Sequence, residues 1–263
     1  MPTLRTIAAE VDRLVLAVNQ TAGPVSRDEV ERISADLGLS TPAVLKHFCE
    51  WLLTVGVTKE IAVARLPYLP DGAVAERIAE WRSVGVVREM EGRLHAEESL
   101  RPLLEAILDA RADAAEAFWL GHDALAEASS VVASVVAGLD PGLAVAHDHA
   151  AVPLPPHAAL AFHQMLTTLR YARAAAHVDA WSTAGLTRDD VLALSSLWRE
   201  ETVTRGSTDR LEALGLVHDG RITDEGRSLR SRIEDDTDAR NAPVFAEVDG
   251  AGLIALLAQL PPH

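Results

Sequence analysis

Two parts of this 263-residue chain can be laid over one another at an offset of about 130 residues. LKHFCEWLLTVGVT, Leu45 to Thr58, matches AAHVDAWSTAGLT, Ala175 to Thr187, pairing His47 with His177, Trp51 with Trp181, Gly56 with Gly185 and Thr58 with Thr187. Further on, RIAEWRSVGVVREMEGRLHAEESLR, Arg77 to Arg101, matches RLEALGLVHDGRITDEGRSLR, Arg210 to Arg230. Gly85 pairs with Gly215, Val86-Val87 with Leu216-Val217, Gly92-Arg93-Leu94 with Gly220-Arg221-Ile222, and Glu97 with Glu225. A fold for this chain must therefore hold the same unit twice. The expected division is a first repeat over residues 1–124, a second over 125–246, and a C-terminal helix within 247–263, where AGLIALLAQL stands.

The unit is clearest in its second copy. Arg210 to Leu214 reads as a short helix that Gly215 can stop, and Leu216-Val217 as a first strand. His218-Asp219-Gly220 makes a tight turn, because glycine tolerates the positive φ of a two-residue hairpin. Arg221-Ile222-Thr223 returns as a second strand, and Thr223 or Asp224 can cap the next helix. A helix followed by a two-stranded wing and a further helix is a winged helix-turn-helix pattern. With 48% hydrophobic residues, abundant alanine and leucine, and few alternating β-branched runs, the rest should be helical. The expected fold class is mostly α, with two winged helix-turn-helix repeats in one chain, a MarR-like pseudo-dimer with small β wings. Residues 138–156, rich in Pro and Gly, read as an irregular stretch, and Asp28 to Leu52 reads as a further helix-turn-helix run with Gly38 at its turn and Ser40 or Thr41 as cap.

Charge bears on whether such a fold reads DNA. The net charge is -15, and only two of the 24 basic residues, Lys46 and Lys59, are lysines. Residues 57–118 hold 8 basic and 12 acidic residues and residues 187–240 hold 9 and 13, a net of -4 in each winged unit. The recognition-helix candidates are mixed in sign: Glu76, Arg77, Glu80 and Arg82 in the first, and Arg205, Asp209, Arg210 and Glu212 in the second. Neither carries the basic footprint of a DNA reader, so DNA is a partner disfavoured by charge, with Lys46 and His47 keeping one weak surface in play. The apolar N-terminal run TLRTIAAEVDRLVLAV is interrupted by Arg5, Glu10, Asp12 and Arg13, unlike a signal peptide or membrane span. One cysteine, Cys49, excludes an internal disulfide framework. A cytoplasmic location, no membrane partner, and a monomer or homodimer are expected.

Candidate site residues follow from helical spacing. Arg170, Arg173 and His177 fall three and four apart, on one helix face. Together they can hold a carboxylate or polarised oxygen, with His177 as the catalytic acid-base group; the alternative is arginines paired with nearby acids and a core histidine. His47 is the repeat equivalent of His177, and Trp51 and Trp181 lie one turn beyond the two histidines, where they suit either a core or the wall of an apolar ligand site. His147, Asp148 and His149, with His157 and His163, form the densest imidazole group, placed in a loop with no evident group to orient the rings; an exposed loop is favoured there over a metal site, and no metal is assigned. No phosphate loop, nucleophile elbow or metalloprotease motif is present, and no cofactor is expected.

The second half resembles an actinobacterial family of tandem winged-helix proteins, the SalK-like family. The resemblance rests on LRYARAAAHVDAW, Leu169 to Trp181, and on the LGLV, ITDEGRSLR and IED segments running to Asp238, and it covers about residues 150–245. Leu169, Arg170, Arg173 and His177 fit that family's motif, whereas Ala172, Ala174, Ala175 and Ala176 replace His, Gly, Asp and Gly. The resemblance implies a winged-helix scaffold repurposed in specialised metabolism. The expected function is binding of a small organic ligand or substrate in a pocket between the two repeats, with Arg170, Arg173, Trp181, His47 and Trp51 as contacts. A cofactor-independent enzyme using His177 and a ligand-responsive transcriptional regulator are the alternatives.

Overall fold

The computed structural model describes residues 4–40, 42–203 and 206–262. It is mostly helical, with two small antiparallel hairpins, and its residues gather into two compact units, 1–172 with 244–263, and 173–243. Each unit contains one winged helix.

The first unit opens on α1, Leu4–Asp36, a helix of 33 residues and about 50 Å. Ile7, Val11, Leu14, Val15, Val18 and Ala22 form its buried stripe at helical spacing. Pro24 sits inside this helix. A proline has no N–H, so the carbonyl of Gln20 loses its donor one turn on, and the ring crowds that same carbonyl. After Gly38 come a 3-10 turn, Pro42–His47, and the helices α2, Cys49–Leu53, α3, Lys59–Arg65, and α4, Ala73–Ser83. Thr58 caps α3 by accepting from the Ile61 N–H. The hairpin of β1, Val87–Met90, and β2, Arg93–Ala96, turns on Glu91 and Gly92, both at positive φ, and Val57 bridges to Leu94. Helices α5, Arg101–Trp119, α6, Ala124–Ala137, α7, Ala144–Ala150, the first part of α8, Ala158–Thr183, and α12, Gly250–Leu257, complete the unit. Two cores result. Phe48, Trp51, Trp81, Leu94 and Leu103 pack beneath the wing, and Leu14, Trp119, Phe162, Leu166 and Leu257 fill the helical bundle.

The second unit holds the rest of α8, then α9, Arg188–Trp198, α10, Asp209–Ala213, the strands β3, Val217–His218, and β4, Arg221–Ile222, and α11, Asp224–Asn241. Its wing turns on Asp219 and Gly220 at φ of 47° and 70°, matching 51° and 77° at Glu91 and Gly92. Positive φ at both central residues is the hairpin geometry that follows the natural strand twist. Thr187 and Asp190 form a reciprocal capping box at α9, and Thr223 caps α11 by accepting from the Gly226 N–H. Gly226 sits where the helix presses on the wing: a methyl group there would run into the Leu216 carbonyl oxygen and the Ile222 side chain. Gly226→Ala is expected to destabilise the second unit by about 2 kcal/mol in urea unfolding, and a loss within experimental error would contradict this packing.

Two sequence expectations are corrected. The stretch 138–156 is not irregular throughout, because Val145, Ala146 and His149 give α7 a buried face that closes on the core beneath the first wing. The run from Asp28 to Leu52 is not a separate helix-turn-helix: its first part continues α1 past Pro24, and its second part is a 3-10 turn and the five-residue α2. Ser40 instead donates to Glu80 through its N–H and hydroxyl, while Thr41 lies outside the described residues. No described helix is long and apolar enough to cross a membrane.

Candidate functional site

A cavity of about 660 Å³ lies within the first unit, walled by α1, the 3-10 turn, α2, the end of α3, α5 and α8. Its α1 wall includes Gln20, Gly23 and Pro24, the place where the proline interrupts the backbone ladder. Val15, Ala22, Val30 and Ile107 supply apolar wall. The polar wall includes His47, Glu50, Arg65, Arg111, His163 and Tyr171, drawn from five different helical segments.

Glu50 and Arg111 make an ion pair at 2.7 Å, each side chain only 11% exposed, and Arg111 also donates to the Lys46 carbonyl at 2.7 Å. Burial, the largest single influence, works to raise the Glu50 pKa, but the positive charge of Arg111, together with the nearby histidines and a backbone hydrogen bond, holds the carboxyl below its usual range. On the facing wall His163 is 2% exposed, and neither of its ring nitrogens has a hydrogen-bond partner. Burial, reinforced by Arg111, takes His163 down to about 3, and burial with Arg65, Lys46 and Arg111 does the same for His47, so both imidazoles are neutral at physiological pH. A neutral imidazole offers one donor and one acceptor. Both are unused at His163.

Behind this wall is an aromatic cluster. Trp51 stacks on Tyr171 at 5.8 Å between ring centroids, and the Arg65 guanidinium lies 4.0 Å above the Tyr171 ring with its Nε buried and unpartnered. The Trp51 indole donates to Asp148, which also pairs with Arg93 of the wing. His149 sits against Trp51 and Tyr171 with its Nδ1 2.8 Å from the Thr168 hydroxyl. That hydroxyl donates to the Gln164 carbonyl, so the histidine supplies the proton between them and its buried Nε2 is left as a bare acceptor. Burial takes His149 to about 4. Cys49, next to Glu50, is fully buried, its thiol pointing at the Leu45 carbonyl and pushed up to about 12 by burial.

Of the residues singled out in the sequence, His47 and Arg170 line the cavity, with Arg170 also bound to Asp12, and Trp51 stands one layer behind. Arg173, His177 and Trp181 belong to the second unit. There Arg173 bridges Glu234 and Asp238, and His177 Nδ1 lies 3.1 Å from the Thr237 hydroxyl, which itself donates to Ile233. Trp181 is in the core of that unit with its indole N–H unpartnered. The histidine-rich loop expectation is corrected: His149 and His163 are core residues on helices, while His147 and His157 are exposed, His157 meeting Glu116. Among the described residues no three His, Cys, Asp or Glu side chains converge as a metal site. Glu50, Arg65, Arg111 and Tyr171 were not singled out, although Arg111 follows Leu104 and Ile107 on the buried stripe of α5, and Glu50 stands between buried Cys49 and Trp51. A charge at a core position was the available signal.

Several cations of the winged surfaces are held in ion pairs. In the first, Arg77 pairs with Glu80, and Arg82 and Lys59 both pair with Glu89, while Arg93 turns inward to Asp148. Lys46 and His47, the weak basic surface of the sequence reading, line the cavity instead. In the second, α10 has five residues, about 7.5 Å of helix, and Arg210 is bound to Asp190; Arg205 lies outside the described residues.

The family comparison identifies the scaffold. A model described as a helix-turn-helix family matches residues 83–263, more than half of the chain. No curated protein and no solved structure gives a significant match. The extent of that match, together with the paired helices and wings, means that the chain belongs to this helix-turn-helix family.

Proposed function

We propose that the protein is a winged-helix scaffold turned to binding a small organic molecule, as expected of a component of specialised metabolism, and that the cavity of the first unit is the site. The observation that carries this reading is His163: a buried side chain with a free donor and a free acceptor, standing against an empty volume of the size that holds drug-like ligands. Leaving a buried polar group unpartnered costs about 1–3 kcal/mol, so two such atoms on one ring beside a cavity favour a partner supplied from outside the chain. The lining draws on residues 15–111 of the first sequence repeat and 163–171 of the second, consistent with a pocket where the repeats meet.

Gly23 provides a clean test. It lines the cavity, and a Cβ added there meets no atom within 4 Å. Gly23→Trp is therefore expected to fold normally yet abolish the thermal shifts that small organic molecules give with the native protein. Undiminished shifts in that variant would move ligand binding out of this cavity. The enzyme alternative rests on His177, which is in the second unit and outside the lining of this cavity, and equal turnover of a ligand by native protein and His177→Ala would remove it.

Membership of a helix-turn-helix family favours a second reading, a ligand-responsive DNA-binding regulator. The paired cations on α4 and the short α10 weigh against it. The expected result is no binding to duplex DNA even at low salt, and salt-dependent binding would restore the regulator.

A further inference from the structure

Resting on that cavity assignment, we infer that the molecule bound there is an organic carboxylate: an anionic head joined to an apolar body. The chain carries a net charge of -15, yet the described lining holds five cations, Arg27, Lys46, Arg65, Arg111 and Arg170, against two acids, Glu31 and Glu50. Glu50 is committed to Arg111, and Asp12 answers Arg170 from outside the lining. Glu31 alone among the lining acids then faces Arg27, Lys46 and Arg65. A locally positive hollow in an acidic protein attracts anions and repels amines.

The geometry is equally selective. The buried Arg65 Nε–H lacks a partner, and His163 has both ring nitrogens unused. A carboxylate can accept from either donor, with charge assistance from the guanidinium, whereas an uncharged ligand leaves the excess cation unanswered. The neutrality of His47 and His163 fits this arrangement, because burial, joined by the surrounding arginines, opposes a further positive charge, so these rings read hydrogen-bond geometry while the arginines supply the charge. The apolar lining, Val15, Ala22, Val30 and Ile107, is suited to a hydrocarbon or aryl body. The sequence has no glycine-rich phosphate cradle, which favours a carboxylate over a phosphate monoester.

The test is calorimetric titration of the full chain at neutral pH with 6-phenylhexanoate, 6-phenylhexanamide and 6-phenylhexylamine. The acid is expected to bind at least about tenfold more tightly than the amide, with the amine weakest. Arg65→Gln is expected to bring the acid within about threefold of the amide without weakening the amide. Should that variant unfold, Lys46→Gln, at an exposed position, reports the same loss of preference. Amide binding as tight as the acid's in the native protein would overturn the carboxylate assignment while leaving the cavity as a ligand site. Failure of all three to bind at about 5 mM would overturn the cavity assignment as well.

Discussion

Lowering the pH from 6.5 to 5 is expected to remove about 5 kcal/mol of stability from the first unit, a loss comparable with the whole stability of many domains. His47, His149 and His163 are held at about 3, 4 and 3 by burial, whereas each returns to about 6.5 when the chain unfolds. Above pH 6.5 both states carry neutral rings and nothing is lost. Below it the unfolded chain takes up protons that the folded one refuses, so stability falls with pH until the folded values are reached, by about 1.4 kcal/mol per pH unit for each ring. Glu50, held below its usual range, adds to the loss only further into acid. Denaturant titrations at a series of pH values should give an uptake near three protons on unfolding around pH 5, and His163→Met should lower it by one. An uptake of one proton or fewer in the native protein would show that these rings are not held neutral.

Glu50→Gln is expected to cost about 3–5 kcal/mol, because it leaves the Arg111 guanidinium buried with the Lys46 carbonyl as its main remaining acceptor. For a unit of this size that corresponds to a fall of roughly 10 °C or more in the thermal midpoint. The double variant Glu50→Leu with Arg111→Met should regain most of the loss, since two apolar side chains carry no charge into the wall. Equal losses in the single and double variants would mean that the pair matters through shape rather than charge. A loss under about 1 kcal/mol in the single variant would place both groups effectively in water.

The wings and their flanking helices were legible because the signals are local. Positive-φ turns at Glu91-Gly92 and Asp219-Gly220, caps at Thr58, Thr187 and Thr223, and the stripe Ile7, Val11, Leu14 and Val18 each lie within a few residues. The internal match singled out His47 by pairing it with His177, and in the structure His47 lines the cavity of the first unit. What the sequence concealed depends on distant segments. Arg111 meets Glu50 across 61 residues, and His163 draws its character from α1 and α5 closing around it. Helix α7 was hidden by the Pro- and Gly-rich residues on either side of it, because only its packing against the core beneath the first wing rewards the helical state of AVAHDHA. The continuity of α1 through Pro24 was hidden for the same reason: burial on one side of a long helix compensates for a single missing bond.

Cys49 gives this site a clock. It is the chain's sole cysteine, it sits one residue from Glu50, and burial keeps it as an unreactive thiol. A thiol reagent can reach it only during the moments when the wall carrying Glu50 and Trp51 comes apart, so the labelling rate measures how often that wall breathes. Each chain can take one label, and the mass spectrum therefore counts open molecules directly. A molecule seated in the cavity must slow that clock by the factor with which it favours the closed state, so its affinity can be timed before any reaction it undergoes is known.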